Sequence, residues 1–331
     1  MKRRTSLLLI VVLGGALGLL HWLVRTDVYG AFHVPVFVEI PRGTSSWAIG
    51  ERLARAGVLR NPMLYPLARL TRLGAGAKAG EYRFAQAATP AQVFARLAAG
   101  DVFHIDVVVP EGSTMFDIAS SVERAGIGSA ADFLREARSP KLIRDLSPTA
   151  VSLEGYLFPA TYRFGHVSTV ADVCKAMTGQ FRRVWSQIGT KGDPNSAVTL
   201  ASMVEREAKV PEERPRIAGV YAARLRAGMK LDCDPTVSYA ALLDGRWTGV
   251  IRRSDLTRTS RYNTYTRPGL PPGPIANPGS DSLRAALHPL ETDELFFVAQ
   301  SGATGAHVFS KDLAAHDKAV SSYRRDQRRR K

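Results

Sequence analysis

From Leu7 to Val24 the chain is apolar, broken in polarity only by His21. The run of 18 residues reaches the lower range for a helix that crosses a bilayer. Lys2, Arg3 and Arg4 precede it, and Arg25 and Asp27 follow. A basic cluster on that side predicts a cytoplasmic N-terminus with the remainder of the chain outside. A cleaved signal peptide is the rival expectation, but the run exceeds a usual signal core and no small-x-small cleavage site follows it. The pattern predicts an uncleaved anchor spanning about residues 7–24 of a first segment 1–30. No second run of this kind follows, which predicts a single pass.

Beyond the anchor the period shortens. Phe37-Val38-Glu39-Ile40 alternates as a half-buried strand does, and Pro41-Arg42-Gly43-Thr44 turns the chain. Trp47 to Ala56 then reads as a helix ended by Gly57. The same order returns in Val107-Val108-Val109, Pro110-Glu111-Gly112-Ser113 and a helix to Ala125, ended by Gly126. Pro41 to Pro110, Gly43 to Gly112, Ile49 to Ile118 and Gly57 to Gly126 all differ by 69, the mark of an internal duplication. Thr44 and Ser113 are the expected helix caps. Between the copies, Gly80 to Phe84 predicts a strand. Thr89 to Leu97 predicts a helix capped by Thr89 and entered through Pro90. Residues 36–105 are expected to form a small α+β domain, and 106–323 a larger mixed one.

In the second half, helical spacing predicts helices over Val170–Ile188, about Arg214–Leu225, and from Ser280 to about Leu287. A final helix is expected from Asp312 to about Tyr323, then a frayed basic tail, 324–331. Leu295–Ala299 and Ala306–Ser310 read as a pair of short strands. The stretch Thr199–Lys209 is expected to be a helix, with Asp193, Pro194 and Asn195 as start signals and Pro211 as a stop. Its apolar positions Ala197, Leu200, Ala201, Val204 and Ala208 share one face. At about 100° per residue, Glu205 and Glu207 fall on opposite margins of that face, and Arg206 points away. Partial desolvation at such a margin favours a protonated carboxylic acid, which general acid catalysis requires. The competing expectation is that both are solvated flank residues paired with Arg206, Lys209 or Arg214. The wheel does not choose between the two glutamates.

Composition adds one unusual quantity, a formal net charge of +15 over 331 residues. It predicts an anionic partner, such as a phospholipid surface or an acidic polymer. No zinc-finger spacing or aromatic-basic RNA-binding signature accompanies it, which argues against nucleic acid. The two cysteines, Cys174 and Cys233, lie in no Cys-x-x-Cys or Cys/His cluster, so neither a zinc site nor a thiol redox centre is expected. A disulfide between them is left open.

Two loop-rich stretches stand out. Ser152–Tyr162 is dense in aromatics and turn formers, suited either to stacking on sugar rings or to a packed connection. Tyr262-Asn263-Thr264-Tyr265 precedes Gly269-Leu270-Pro271-Pro272-Gly273-Pro274-Ile275, a rigid loop presenting polar-tipped side chains to a carbohydrate.

The segments LEGYLFPATY (153–162), LASMVEREA (200–208), DPTVSYA (234–240), YNTY (262–265) and GLPPGPIANPGSDSL (269–283) resemble the YceG/MltG family of membrane-anchored endolytic murein transglycosylases. HVFSKDLAAH (307–316) is similar but less close, and the duplicated β-turn-α units resemble a LysM-like module, which in other proteins binds glycans containing N-acetylglucosamine. Ala160 and Asp232-Cys233 depart from residues common in relatives. The resemblance implies an α+β architecture: a transmembrane helix, a LysM-like domain and a mixed catalytic domain. It implies that Glu205, not Glu207, is the acid, cleaving the β-1,4 bond between N-acetylmuramic acid and N-acetylglucosamine without water. The C6 hydroxyl then closes a 1,6-anhydro ring, which ends the elongation of nascent glycan strands. Glu154, Asp234, Asn263 and Tyr265 are the accompanying substrate-binding candidates. The implied setting is the inner membrane with a periplasmic catalytic domain, with peptidoglycan as substrate and penicillin-binding-protein synthases as partners. A glycan hydrolase and a non-catalytic glycan-binding scaffold are the alternatives.

Overall fold

The computed structural model describes residues 2–72, 74–188, 193–301 and 305–330, and the side chains of all of these except 2–10, 13, 17 and 330. The chain separates into two compact units, residues 1–105 with 163–166, and residues 106–162 with 167–331.

The first unit contains α1 (Lys2–Thr26), β1 (Val36–Ile40), α2 (Ser46–Arg55), α3 (Leu64–Leu70), β2 (Gly80–Phe84) and α4 (Pro90–Ala99). β1 and β2 are antiparallel, with Val36 opposite Phe84 and Ile40 opposite Gly80. Alternation along each strand sends Val38, Ile40, Tyr82 and Phe84 inward, where they meet Leu53, Tyr65, Phe94 and Leu97. Thr89 and Gln92 close a capping box on α4, which supplies partners for the first free N–H groups. The last turn of α1 belongs to this core, for Val24 is fully buried in it. Further back α1 exposes Val11, Val12, Leu19 and Trp22. Among the described residues no helix is long and apolar enough to cross a membrane. The span expected at 7–24 includes residues 7–10, 13 and 17, whose side chains lie outside the described ones.

The second unit, apart from Ile105 and residues 163–164 of its first two strands, which are counted with the first, runs β3 (Ile105–Val109), α5 (Met115–Arg124), α6 (Ala130–Ala137), β4 (Ala160–Phe164), α7 (Val170–Ile188), α8 (Asn195–Glu207), α9 (Arg214–Arg226), α10 (Asp234–Leu243), α11 (Arg253–Thr257), α12 (Ser280–Leu287), β5 (Phe296–Ala299), β6 (His307–Ser310) and α13 (Leu313–Arg330). β3 pairs with β4, and β5 pairs antiparallel with β6. The fold is thus mixed α+β, with helices dominating and sheets of two strands.

β1 and α2 recur as β3 and α5 at a constant offset of 69 residues. The turns match in detail. Gly43 and Gly112 have φ of 79° and 75°, a left-handed conformation that glycine adopts without a Cβ clash. The caps fall one residue later than expected, on Ser45 and Thr114. The Thr44 and Ser113 hydroxyls instead donate to the Pro41 and Pro110 carbonyls at 2.7 Å, closing the turn itself.

At the centre of the second unit, α8 is enclosed on all sides rather than along one face, since Val198 through Val204 are all buried. Its polar members make that burial tolerable. Thr199 Oγ1 donates to the Asn195 carbonyl, and Ser202 Oγ donates to the Thr199 carbonyl while accepting from Ile275 N. α9 and α12 pack against it. The final helix also differs from expectation. It continues past Tyr323 to Arg330, because Arg and Gln favour helix and neither Gly nor Pro interrupts them.

Candidate active site

The carboxyl of Glu205 emerges at the end of α8 with its side chain only 7% exposed. Gly279, the cap of α12, donates its N–H to Glu205 Oε2 at 3.0 Å. Arg214, from the first turn of α9, places Nη2 3.5 Å from Glu205 Oε1. The same Nη2 lies 4.0 Å from Oε2 of Glu111, whose side chain is 53% exposed. Arg206 reaches back to donate to the Gly112 carbonyl at 3.2 Å. Arg214 Nε is buried with no hydrogen-bond partner among the described residues, a spare donor beside the carboxyls. Burial pushes the Glu111 carboxyl up, the neighbouring Glu205 charge adds to that, and Arg214 opposes it.

Glu207 points elsewhere. Its Oε1 accepts from Tyr221 Oη and Cys233 Sγ, each at 3.4 Å, and burial raises its pKa. The two marginal glutamates of the helical wheel therefore meet different surroundings. Glu205 has a backbone N–H, a guanidinium and a half-exposed carboxylate, while Glu207 is closed in by a phenol and a thiol.

Glu154 is fully buried, with burial pushing its carboxyl up to about 8. Both its oxygens accept from Met115 N, the first residue of α5, at 3.0 and 2.9 Å. A carboxyl oxygen at a helix start satisfies one of the free N–H groups there, so the group acts as a cap on α5. Asn277 Nδ2 donates to Glu154 Oε1 at 2.7 Å and to the Ser113 carbonyl at 2.9 Å. Asn277 Oδ1 accepts from Gly155 N and Leu157 N at 2.8 and 2.9 Å. Backbone bonds from Gly112 N to the Asn277 carbonyl and from Asn277 N to the Ser113 carbonyl lock the same loops together. In the LEGYLFPATY stretch, Tyr156 is buried against Phe181, with its hydroxyl engaged by Ser147 and Asn195. The aromatic loop is a packed connection leading into β4.

Asp234, Asn263 and Tyr265 form another cluster, at the start of α10. Tyr265 Oη donates to Asp234 Oδ1 at 2.6 Å. Asn263 is buried, donating Nδ2 to the carbonyls of Asp255, Leu256 and Arg258 and accepting from Tyr265 N through Oδ1. Asn263 thus fixes the loop, while Asp234 stays exposed at its edge. The structure joins these three to one another, and it links Glu154 to Glu205 through the Asn277–Gly279 loop. Asn277, Gly279 and Glu111 were not singled out as site residues. The Asn-Pro-Gly-Ser run signals a helix start, but not where the preceding side chain points. Cys174 and Cys233 are both buried free thiols. Among the described residues no group of three or more His, Cys, Asp or Glu is placed to hold a metal ion.

A sequence model described as the YceG-like family matches residues 38–322. A protein from Bacillus subtilis named endolytic murein transglycosylase is 33% identical over 309 residues, covering 87% of this chain and 84% of that protein. One of the same name from Streptococcus pneumoniae is 27% identical, and the chain spans 58% of its length. The crystal structure of a yceG-like protein from Listeria monocytogenes superposes with a TM-score of 0.55 at 31% identity, over 86% of this chain and 98% of that one.

Proposed function

The chain belongs to the YceG-like family, and from that premise we propose that it is an endolytic murein transglycosylase with Glu205 as its single acid and base. The observation that carries the choice of residue is the sheltered carboxyl between Gly279 N–H and Arg214, beside a half-exposed second carboxylate. In this reading a protonated Glu205 donates to the glycosidic oxygen between N-acetylmuramic acid and N-acetylglucosamine, and the bond to the anomeric carbon breaks. The resulting carboxylate takes the proton of the muramic acid C6 hydroxyl, whose oxygen bonds to the anomeric carbon as a 1,6-anhydro ring. Proton and electron pairs balance without water. A hydrolase of the two-carboxylate kind instead activates water with its second carboxylate. Gly279 N–H and Arg214 favour the carboxylate formed midway, as fixed donors aimed at developing charge do. Asp234 and Tyr265 are the substrate contacts this reading retains, while Asn263 and Glu154 shape the loops that carry the site.

The same reading places the first unit as a glycan-holding module. Support comes from its 550 Å³ cleft, lined by the Pro41–Thr44 turn with Tyr65 and Arg69. It makes α1 the inner-membrane anchor, on the strength of the apolar run in the sequence and the exposed Val11, Val12, Leu19 and Trp22. Cutting nascent strands there would end their elongation by the penicillin-binding-protein synthases. Release of the protein from membranes by high salt alone would rule the anchor out.

The test of the activity is Glu205→Gln, assayed on purified peptidoglycan by mass spectrometry. The wild type is expected to release anhydro-muropeptides, and the variant to melt normally and release none. Unchanged yield would remove Glu205 as the acid. Products heavier by one water would make the enzyme a hydrolase.

A further inference from the structure

Arg42, Arg69 and Lys78 line one cleft of the first unit, the 550 Å³ cavity beside the Pro41–Thr44 turn, and no Asp or Glu joins them in the lining. Elsewhere in this unit arginines find carboxylates: Arg60 pairs with Asp27, and Arg96 with Asp101. Arg42, Arg69 and Lys78 enter no ion pair among the described residues. Arg69 donates to Ser46 Oγ instead, and Lys78 Nζ to the Ala99 carbonyl at 3.1 Å. Ser46 also lines the cleft and opens α2, whose first turn holds no acidic residue. The leading N–H groups of a helix have no partner within it. The cleft reaches Tyr65 as well, a side chain only 1% exposed. Its hydroxyl has no hydrogen-bond partner among the described residues, yet it is not sealed off. A sheltered O–H without an acceptor costs stability unless an occupant of the cleft supplies one. The groups left unmet here are cations and donors.

We propose that this cleft is an anion site, and that it takes the carboxylates of the peptide stem carried by muramic acid. The inference deepens the reading of the first unit as a glycan-holding module and rests on it. Two guanidiniums offer carboxylates a planar fork of donors, and the lysine adds a point charge on a flexible stem. A peptide stem brings several carboxylates, which three separate cations can engage together. A neutral chain of N-acetylglucosamine would cover the same cations without supplying a charge, so the cleft discriminates against it. A volume of 550 Å³ lies within the range of about 300–1,000 Å³ that holds a small organic ligand, more room than a lone phosphate fills. In the other copy of the Pro-x-Gly turn Glu111 stands where Arg42 does, so the cation belongs to this cleft rather than to the turn.

The probe is the disaccharide tetrapeptide of peptidoglycan, N-acetylglucosamine joined to N-acetylmuramic acid with its stem, which lacks the bond the enzyme would cut. It is titrated into the full chain in neutral detergent, and affinity is read from the methyl resonances of Ile40 and Ile49, two residues of the cleft lining. Both are expected to shift, with binding at least about tenfold tighter than for chitotetraose, a neutral glycan of N-acetylglucosamine. Arg42→Gln, Arg69→Gln and Lys78→Gln, combined in one protein, remove three exposed charges and spare the fold. Binding of the tetrapeptide should weaken at least about tenfold, at an unchanged melting midpoint. Tyr65→Phe keeps the ring and should weaken it about fivefold. Equal affinity for chitotetraose, or parental affinity in the triple variant, with the methyls still shifting, overturns the anion site and leaves the glycan module standing. Methyls that shift with neither probe remove the module itself. Shifts caused by inorganic phosphate or by dioctanoylphosphatidylglycerol, but not by the tetrapeptide, overturn the peptide stem as the occupant.

Discussion

Removing Asn277 tests the frame that holds the site more sharply than removing any catalytic candidate. The side chain is fully buried and makes four hydrogen bonds, two as acceptor from Gly155 N and Leu157 N and two as donor to Glu154 and Ser113. In Asn277→Ala the Ser113 carbonyl keeps its bond from Asn277 N, and Glu154 keeps Met115 N. The N–H groups of Gly155 and Leu157 lose the acceptor they share. A buried donor left without a partner costs about 1–3 kcal/mol. With two such donors, and Glu154 short of a neighbour, the expected loss is about 3–6 kcal/mol. That is a large part of the ~5–15 kcal/mol that holds a typical domain. At about 2–4 °C per kcal/mol for a unit of this size, the midpoint should fall by on the order of 10 °C. Calorimetry and urea unfolding followed by circular dichroism would measure it. Asn277→Asp is the informative companion, because it keeps both acceptor bonds and replaces the donor to Glu154 with a second buried carboxyl group. It should become less harmful as pH falls. A loss under ~1 kcal/mol in Asn277→Ala would mean that the two N–H groups find other partners, and the view of Asn277 as the fastener of three loops would be wrong.

Two further outcomes follow from the same geometry. The Glu154 carboxyl, raised from 4.5 to about 8, binds its proton more tightly folded than unfolded, so its contribution to stability is full below about pH 4.5 and is lost as pH rises through about 8. Measured against Glu154→Gln, which has no such group, wild-type stability should fall across that window by at most ~5 kcal/mol, and a constant difference in midpoint from pH 4 to 9 would refute the burial argument. The paired substitutions Gly43→Ala and Gly112→Ala should each cost about 1–2 kcal/mol from left-handed backbone alone, because a Cβ meets nothing within 4 Å at the first and only ordinary contacts, 3.6 Å from Glu205 and 3.7 Å from Arg206, at the second; a cost at Gly112 well above that at Gly43 would show that the turn is packed more tightly on Glu205 than it stands.

Local signals carried much of the fold. β2 over Gly80–Phe84 and α7 over Val170–Ile188 were legible to the residue, the first from alternation and the second from a long apolar stripe. The duplication was legible because its turns need glycine at fixed positions, and two left-handed glycines 69 residues apart bear it out. Where a choice depended on tertiary packing, pattern did not suffice. The enclosure of α8 could not be read from its wheel, since Thr199 and Ser202 look polar until their hydroxyls turn back onto the backbone. Nor could the short helices α3 and α6, whose runs are brief and whose faces are completed by neighbours. At the site, the sequence presented Glu205 and Glu207 as equals. Their difference lies in partners contributed by residues far along the chain, Gly279 and Arg214 for one, Tyr221 and Cys233 for the other.

Those distant partners also explain how firmly the Glu205 carboxyl is held in place. α8 cannot shift easily, because seven successive residues before Glu205 are packed on every side. The loop that brings Gly279 to the carboxyl is fastened two residues earlier by Asn277 and four residues earlier by the bond from Ile275 N to Ser202. The Glu205 carboxyl and its N–H donor are thus both referred to the same helix, one by covalent connection and the other by hydrogen bonds. Glu111 enters from a third direction, on a turn whose backbone is tied to Asn277 by Gly112 N. In the other copy of that turn, Arg42 lines the cleft of the first unit. One duplicated scaffold therefore presents a cation at one site and a carboxylate at the other. The same turn backbone carries either, so the side chain at its middle is not set by the turn itself.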